Sequence, residues 1–470
     1  MHAQHVYDGD LAQGSYLIGC QASGEAIVVD PRRDVDVYLR AADEAGLRIT
    51  DVADTHVHAD YLSGARELAD RTGARLWLSA EGGPDWTPPF PHRPLHDGDV
   101  VHAGNVRIEA IHTPGHTPEH LSFLVTDGAT SDQPAMILTG DFVFVGDVGR
   151  PDLLDEAAGG EGTRFAGATD LFASLRDRFL TLPDHVQVWP GHGAGSACGK
   201  ALGAVPSTTV GYERLTAWWT DAVQANDEAR FTEQLLADQP DAPAYFGRMK
   251  RWNLSGPALL GERPEPPRLD PQATARRLAA GEILFLDTRT LADWHQDAVD
   301  GALFVPSGSN FATYASYAID PEQDDAGIVV LAEDARHAAQ LRDKLSWTGI
   351  DRFEGFVSDL TPFARSQVSL VQPDDLARHR DAFQVLDTRA ATEHRAGHIE
   401  DAVQLHSGRI RWHLDRVPTD APLVAHCQSG GRSAVAASVL RLHGHPDVRE
   451  LRGGYDAWIA RQGRSDAVPA

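Results

Sequence analysis

The sequence predicts an α/β protein built as three modules, and three observations carry that expectation. Short apolar runs ending at polar turns alternate with helical stretches over the first half, a Pro- and Gly-rich segment follows, and the second half repeats itself. At 470 residues and 42 % hydrophobic, the chain also exceeds one ordinary core of about 150 residues.

The runs YLIG, AIVVD, RLWLSA, RIEAIHT and AMILTGD read as strands and YLSGARELADRTG as a helix, giving an α/β domain over residues 1–250. Residues 251–269, RWNLSGPALLGERPEPPRL, have no sustained periodicity and read as a linker. Beyond them, ILFLDTRTLADWHQDAVDGA (283–302) aligns with FQVLDTRAATEHRAGHIEDA (383–402) at an offset of 100, so that Asp287-Thr288-Arg289 matches Asp387-Thr388-Arg389. Two copies of one small parallel-sheet module are expected, over 270–366 and 370–467.

Lys and Arg number 42 against 68 Asp and Glu, a net charge of −26 that repels phosphate backbones and anionic lipid, so neither nucleic acid nor a membrane is an expected partner. Three cysteines, Cys20, Cys198 and Cys427, are too few and too scattered for a disulfide framework and fit a reducing cytoplasm. The opening MHAQHVYDGDLAQGSYLIG lacks a basic stretch followed by an apolar one, and no run of about 18 apolar residues occurs anywhere. A soluble, cytoplasmic chain is the expectation, with homo-oligomerisation left open. Cys20, in the apolar SYLIGCQA run, reads as a core residue.

Four turns carry the first chemistry. Thr55-His56-Val57-His58-Ala59-Asp60-Tyr61 follows an apolar run beginning at Ile49, where alternate residues at a strand end can converge on one cation. Thr113-Pro114-Gly115-His116-Thr117, Leu138-Thr139-Gly140-Asp141 and Pro190-Gly191-His192-Gly193 each add one donor in a turn after apolar residues. Imidazoles and a carboxylate gathered this way suit zinc or ferrous iron.

These motifs resemble the metallo-β-lactamase superfamily over roughly residues 1–245, which implies an αββα sandwich. The dinuclear members read His-x-His-x-Asp-His, whereas this chain has Tyr61 at the last position, and a neutral tyrosine is a poor zinc ligand. That departure points to a single-metal site like that of the persulfide dioxygenases, in which two histidines and one aspartate bind one Fe(II). Carried over, the ligands are His56, His116 and Asp141, with His58, Asp60 and His192 either orienting them or forming an alternative metal set. The segment Gly149-Arg150-Pro151-Asp152 resembles the stretch after the metal aspartate in that group, which makes Arg150 an anion-facing candidate and Asp152 a brace for the loop. Cys198, Lys200 and Tyr212, in or beside the Gly- and Ala-rich stretch after His192, are candidates for lining the substrate site.

In the last module, Pro422-Leu423-Val424-Ala425 leads into His426-Cys427-Gln428-Ser429-Gly430-Gly431-Arg432-Ser433 and then a helical stretch. Backbone N–H groups of such a loop, the helix N-terminus and Arg432 favour a thiolate and then an anionic persulfide on Cys427. The loop, with LDTR, GHIEDA and LRGGYDAW, resembles the rhodanese family across 370–464. The first copy keeps its LDTR but reads Val330-Leu331-Ala332-Glu333-Asp334-Ala335-Arg336 where the loop belongs; without a cysteine, it is expected to act as a spacer or docking domain.

The resemblances together imply a non-haem Fe(II) persulfide dioxygenase with one iron per chain. It would use O₂ to oxidise a low-molecular-weight thiol persulfide to sulfite, coupled to a rhodanese that makes or uses thiosulfate. The alternatives are a zinc-dependent thioester hydrolase of glyoxalase II type with an appended sulfurtransferase, and a non-catalytic sulfur carrier.

Overall fold

A computed structural model of the chain describes residues 1–153, 155, 162–200, 202–445 and 447–465. It divides into two units, one of residues 1–242 and 246–263 and one of residues 243–245 and 264–470. Among the described residues, no helix is long and apolar enough to cross a membrane.

The first unit is built on two six-stranded sheets. One runs in chain order: β1 (His2–Asp8), β2 (Gln13–Cys20), β3 (Glu25–Val29), β4 (Arg48–Ala53), β5 (Arg75–Ser79) and β6 (Arg93–Leu95). The other is ordered from β12 (Thr208–Thr209) through β11 (Gln187–Pro190), β10 (Met136–Gly140), β9 (Leu121–Asp127) and β8 (Val106–His112) to β7 (Val100–Ala103). Their inner faces meet in one apolar layer, with Tyr16, Ile18 and Ile27 from the first sheet against Val101, Ile108, Phe123 and Leu138 from the second. The outer face of the first sheet packs on α1 (Asp36–Glu44) and α2 (Ala65–Thr72) through Tyr38, Ala42 and Leu68. That of the second packs on the helix Thr163–Ser174 and on Trp219, Phe231 and Leu235. Because both sheets are covered on both faces, strands such as β2 are buried at every residue. The layers are those of the expected αββα sandwich.

The second unit holds two sheets built alike. In the first, β13 (Ile283–Asp287) lies between β15 (Leu303–Phe304) and β16 (Gly327–Leu331), with β17 (Phe353–Val357) beyond; β14 (Ala298–Val299) and β18 (Arg365–Ser366) pair separately. In the second, β20 (Gln384–Asp387) lies between β21 (Val403–Gln404) and β22 (Leu423–His426), followed by β23 (Val448–Leu451) and β19 (Leu370–Val371). The matched Asp-Thr-Arg triplets leave β13 and β20 at the same point of each sheet. Thr288 Oγ1 donates to the Leu331 carbonyl at 2.6 Å, and Thr388 Oγ1 to the His426 carbonyl at 3.0 Å.

The segment read as a linker begins differently. Residues 251–255 complete the helix Phe246–Ser255, whose Asn253 is buried against the loop after β4. An asparagine with three backbone partners needs a fixed helical position, which the short polar run alone did not suggest. The predicted end of the last module, residues 466–467, lies outside the described residues.

Candidate functional site

The four metal-motif turns converge at one end of the sandwich. His56 follows β4, His116 follows β8, Asp141 follows β10 and His192 follows β11. All four are buried, as are His58 and Asp60. One donor atom each of His56, His116 and Asp141 lie within 4.8 Å of one another, with His56 Nε2 and His116 Nε2 at 3.9 and 3.5 Å from Asp141 Oδ2. The other Asp141 oxygen, Oδ1, is 3.4 Å from His192 Nε2. Gly149 is obligatory here, since a Cβ on it would lie 1.8 Å from the Asp141 carbonyl oxygen.

The hydrogen bonds behind these side chains fix their chemistry. His116 Nδ1 is 3.0 Å from the Arg150 carbonyl and His192 Nδ1 is 3.1 Å from the Ala12 carbonyl. His56 Nδ1 is 2.9 Å from Thr55 Oγ1, which itself donates to Asp30 Oδ2 at 2.9 Å. In each case Nδ1 carries the proton and the Nε2 lone pair is left facing the cluster. His56 Nε2, Asp60 Oδ2 and both Asp141 oxygens have no hydrogen-bond partner. Buried polar atoms without partners are costly, so this donor set fits a cation that would satisfy them.

Charge points the same way. Burial, reinforced by the neighbouring imidazoles, holds His56 well below the usual histidine range. Burial also lowers His116 against the pull of Asp141 and takes His120 down to about 3. Burial would raise Asp141, but His192 and His116 hold it below the usual carboxylate range. Neutral imidazoles and an ionised carboxylate are the protonation states that metal binding requires.

His58 engages a different carboxylate through Nε2, while its buried Nδ1 has no hydrogen-bond partner. Its Nε2 lies 3.1 Å from Asp30 Oδ1 and 3.0 Å from the Tyr61 hydroxyl. Burial alone would lower its pKa, but the Asp30 carboxylate raises it to about 9. Tyr61, fully buried, also accepts from Gln13 Nε2 at 3.2 Å, so its hydroxyl belongs to the Asp30 side of the loop.

A second group lies beside the first, in which one donor atom each of Asp60, His192 and Cys198 fall within 4.8 Å of one another. Cys198 is 1 % exposed, and burial, then Asp141 and Asp60, push its thiol well above the usual range.

The other proposed substrate residues are placed elsewhere. Arg150, expected to face an anion, is completely buried: its Nε donates to Asp152 Oδ1 at 2.8 Å and its Nη1 to the Pro240 carbonyl at 2.6 Å. It therefore pins the loop that carries the His116 acceptor, and Asp152 braces it as expected. The Lys200 ammonium donates to the Gln234 carbonyl and lies 4.4 Å from the Trp218 ring centre, so it is not part of the histidine cluster. Tyr212 is 58 % exposed on the helix Val210–Thr216.

Residues that the sequence reading missed complete the site. Asp30 accepts from the Thr55 N–H at 2.7 Å besides its two contacts above. The Asp141 N–H donates to His120 Nε2 at 3.1 Å. Glu119 Oε1 accepts from the Val57 N–H at 2.8 Å. Asn253 accepts from the Ser63 N–H and donates to the His58 and Tyr61 carbonyls, at 2.9, 2.8 and 2.7 Å. His120 alone had a local signal, as a second imidazole four residues after His116.

In the second unit, Cys427 directly follows β22 and is 2 % exposed. Its Sγ accepts from the Gly430 N–H at 3.1 Å and lies 3.6 Å from Ser433 Oγ. Gly430 holds φ at +121°, a conformation that L side chains rarely adopt, and this turn aims the N–H at the sulfur. The helix Gly431–Leu442 begins immediately after with no side-chain cap, so its N-terminal field falls on the sulfur. Arg432 forms a two-pronged pair with Glu393 at 2.6 and 2.8 Å. Burial would lower its pKa, but Glu393 and the nearby Cys427 raise it. Beneath the loop, Arg389 pairs with Asp387 at 2.9 and 2.6 Å and donates to Gln428 Oε1 at 3.2 Å.

Comparison with known proteins separates the same two parts. Residues 8–192 match the Metallo-beta-lactamase superfamily and residues 372–461 the Rhodanese-like domain. The solved metallo-beta-lactamase from Staphylococcus aureus is 37 % identical with a TM-score of 0.65, covering 76 % of this chain and 98 % of that one. An uncharacterized protein of Mycobacterium leprae is 31 % identical over 228 residues, 44 % of this chain and 92 % of the relative. A hydroxyacylglutathione hydrolase of a Polaromonas species is 30 % identical over 194 residues, 41 % of this chain and 66 % of that protein. The mitochondrial persulfide dioxygenase ETHE1 of Bos taurus is 28 % identical over 186 residues, 38 % of this chain and 63 % of the relative. Sandwich layers, donor turns and matches agree, and the chain belongs to the metallo-beta-lactamase superfamily, with a rhodanese-like domain toward its C-terminal end.

Proposed function

We propose that the chain is a cytoplasmic persulfide dioxygenase with a sulfurtransferase attached. It would take a low-molecular-weight thiol persulfide, O₂ and water to the thiol and sulfite, and exchange sulfane sulfur between sulfite, thiosulfate and Cys427. The observation that carries this reading is the set of two neutral imidazoles and one carboxylate, His56, His116 and Asp141, one donor atom of each lying within 4.8 Å of the others. Such a set suits one Fe(II) and leaves coordination positions open. Bound there, the iron would supply a centre at which the persulfide sulfur and O₂ meet.

The chain's own part is to hold the ligands. Thr55 and the Arg150 carbonyl keep the His56 and His116 tautomers, and His120 anchors the Asp141 backbone. At the second site, the Cys427 thiolate attacks the sulfane sulfur of thiosulfate, the S–S bond breaks and sulfite leaves with the electron pair. Sulfite attacking the Cys427 persulfide reverses the step.

A zinc-dependent thioester hydrolase is the second reading. The Asp60–His192–Cys198 group favours it, because it offers a second cation three donors next to the free Asp141 oxygen. Purification without O₂, with metal quantified and O₂ uptake followed on glutathione and coenzyme A persulfides, separates the two. One iron with O₂ uptake is expected; two zincs, thioester cleavage and no O₂ uptake would overturn the first reading. Asp141→Asn is expected to abolish uptake and leave thiosulfate:cyanide transfer intact, and Cys427→Ser the reverse.

A further inference from the structure

The copy of the repeat without a cysteine does more than space the chain. Its face is packed onto the Cys427 loop and the helix that follows. Leu291 Cδ2 stands 3.1 Å from where a Cβ on Gly430 would be, and Tyr314 Oη 3.6 Å from the corresponding point on Gly431. Tyr317, one turn along the helix Phe311–Ala318, lies 2.8 Å from the matching point on Gly408. The contact is anchored by polar bonds, one buried and the others partly buried. The Phe304 N–H donates to Ser438 Oγ at 3.0 Å, Trp412 Nε1 donates to Asp320 at 3.0 Å, and His295 lies 2.9 Å from Glu450, which Arg441 also binds. Such bonds hold one geometry rather than a sliding contact. A cavity of about 510 Å³, bounded by Leu291 and His295 on one side and by Ser429 and Gly453 on the other, opens beside the loop.

Tyr314 is the hydroxyl that this packing delivers to the loop. Gly430 and Ser433 are the two hydrogen-bonding neighbours of Sγ, and Tyr314 is not a third. Burial and then the negative charge of Cys427 raise the Tyr314 pKa, so the phenol stays protonated and close enough to feel that charge. A sulfur added to Cys427 extends about 2 Å beyond Sγ and carries the anionic charge with it.

We propose that Tyr314 donates its hydroxyl hydrogen to the terminal sulfur carried by Cys427, so that the sulfur-transfer site is completed by the copy of the repeat that has no cysteine. This rests on the reading of Cys427 as a sulfur carrier. In the loading step, the Cys427–sulfur bond forms as the thiosulfate S–S bond breaks and sulfite departs. Tyr314 meets the charge that moves onto the terminal sulfur without giving up its proton.

The test uses the full chain and Tyr314→Phe. Loading from thiosulfate is followed by the mass gained on the Cys427 peptide, and alkylation of the unloaded thiol by iodoacetamide is timed in parallel. A lost hydrogen bond to a charged group lowers the second-order loading rate about tenfold or more. Alkylation, which involves no terminal sulfur, is expected to stay within about twofold. Equal loading by wild type and Tyr314→Phe would overturn the proposal, and so would a parallel fall in both rates, the mark of a purely structural role. A wild-type chain that takes no sulfur from thiosulfate or from any persulfide overturns the carrier reading itself.

Discussion

Asp30→Asn is the most searching perturbation of the metal loop, because one carboxylate there serves three donors on two histidine supports. It accepts from the Thr55 N–H at 2.7 Å, from Thr55 Oγ1 at 2.9 Å and from His58 Nε2 at 3.1 Å. Asparagine keeps one acceptor oxygen and turns an N–H₂ toward at least one of those donors. A hydrogen bond to a charged group is worth about 1.5–3 kcal/mol, and leaving its partner buried adds to the loss, so about 3 kcal/mol is expected. For a unit of this size that is about 6–12 °C in the melting temperature of the metal-free chain. Thr55 also holds the His56 proton on Nδ1, so metal affinity is expected to fall about 10–100-fold in competition with a chelator. The loss depends on pH. His58 is raised from 6.5 to about 9, so its pairing with Asp30 stabilises the metal-free fold fully below about pH 6.5 and fades as pH rises through about 9. The variant is therefore expected to lose more at pH 6 than at pH 10. An equal loss at both pH values, with metal affinity within about twofold, would refute the assignment of Asp30 as the common support.

Asn253→Ala leaves three buried backbone groups of the metal loop without partners and is expected to speed metal loss to a chelator while lowering stability by about 3 kcal/mol. An unchanged release rate would remove Asn253 from the site. Glu119 is raised by burial to about 7 although the Val57 N–H opposes it, so its contribution to stability is present below pH 4.5 and lost as pH rises through about 7. Glu119→Gln should consequently melt higher than wild type at pH 8 and little differently at pH 5, as read by calorimetry. In the second unit, burial would raise Asp387, but Arg389 and His426 hold it at about 2, so its contribution is present above pH 3.8 and lost as pH falls through about 2. Asp387→Asn leaves Arg389 buried without its counter-charge and is expected to cost about 3–5 kcal/mol in urea unfolding from pH 7 to 4, with the gap narrowing only below that.

The parts of the site legible in the sequence are those in which chemistry is locally dense. His56, His116, Asp141 and His192 each end a strand in a short polar turn, and a turn of that kind carries its own signal. Their supports carry none. Asp30 closes AIVVD and looks like any strand-end carboxylate, and Asn253 reaches the loop from 190 residues away. Arg150 departs from its sequence expectation for a related reason. Its motif marks its position, but its burial follows from Asp152 and from the Pro240 carbonyl, 90 residues further on. The repeat was legible because its matched Asp-Thr-Arg turns make the same bonds in both copies. The face that one copy presents to the other depends on the tertiary arrangement.

The two copies also show how little separates the proposed sulfur site from a turn without a cysteine. In the first, Asp334 stands before the helix Ala335–Trp347, and its carboxylate accepts from the His337 N–H at 2.8 Å, satisfying the helix end with a fixed negative charge. In the second, Gly430 occupies that place without a side chain, and the N–H groups and helix field are left for Cys427. A thiolate there gains what the aspartate takes in the other copy. Adding a cysteine to the first copy would consequently not be enough to reproduce the Cys427 loop, because Asp334 would still fill the anion position. Removing the cap would be the first requirement, and a glycine able to hold positive φ the second.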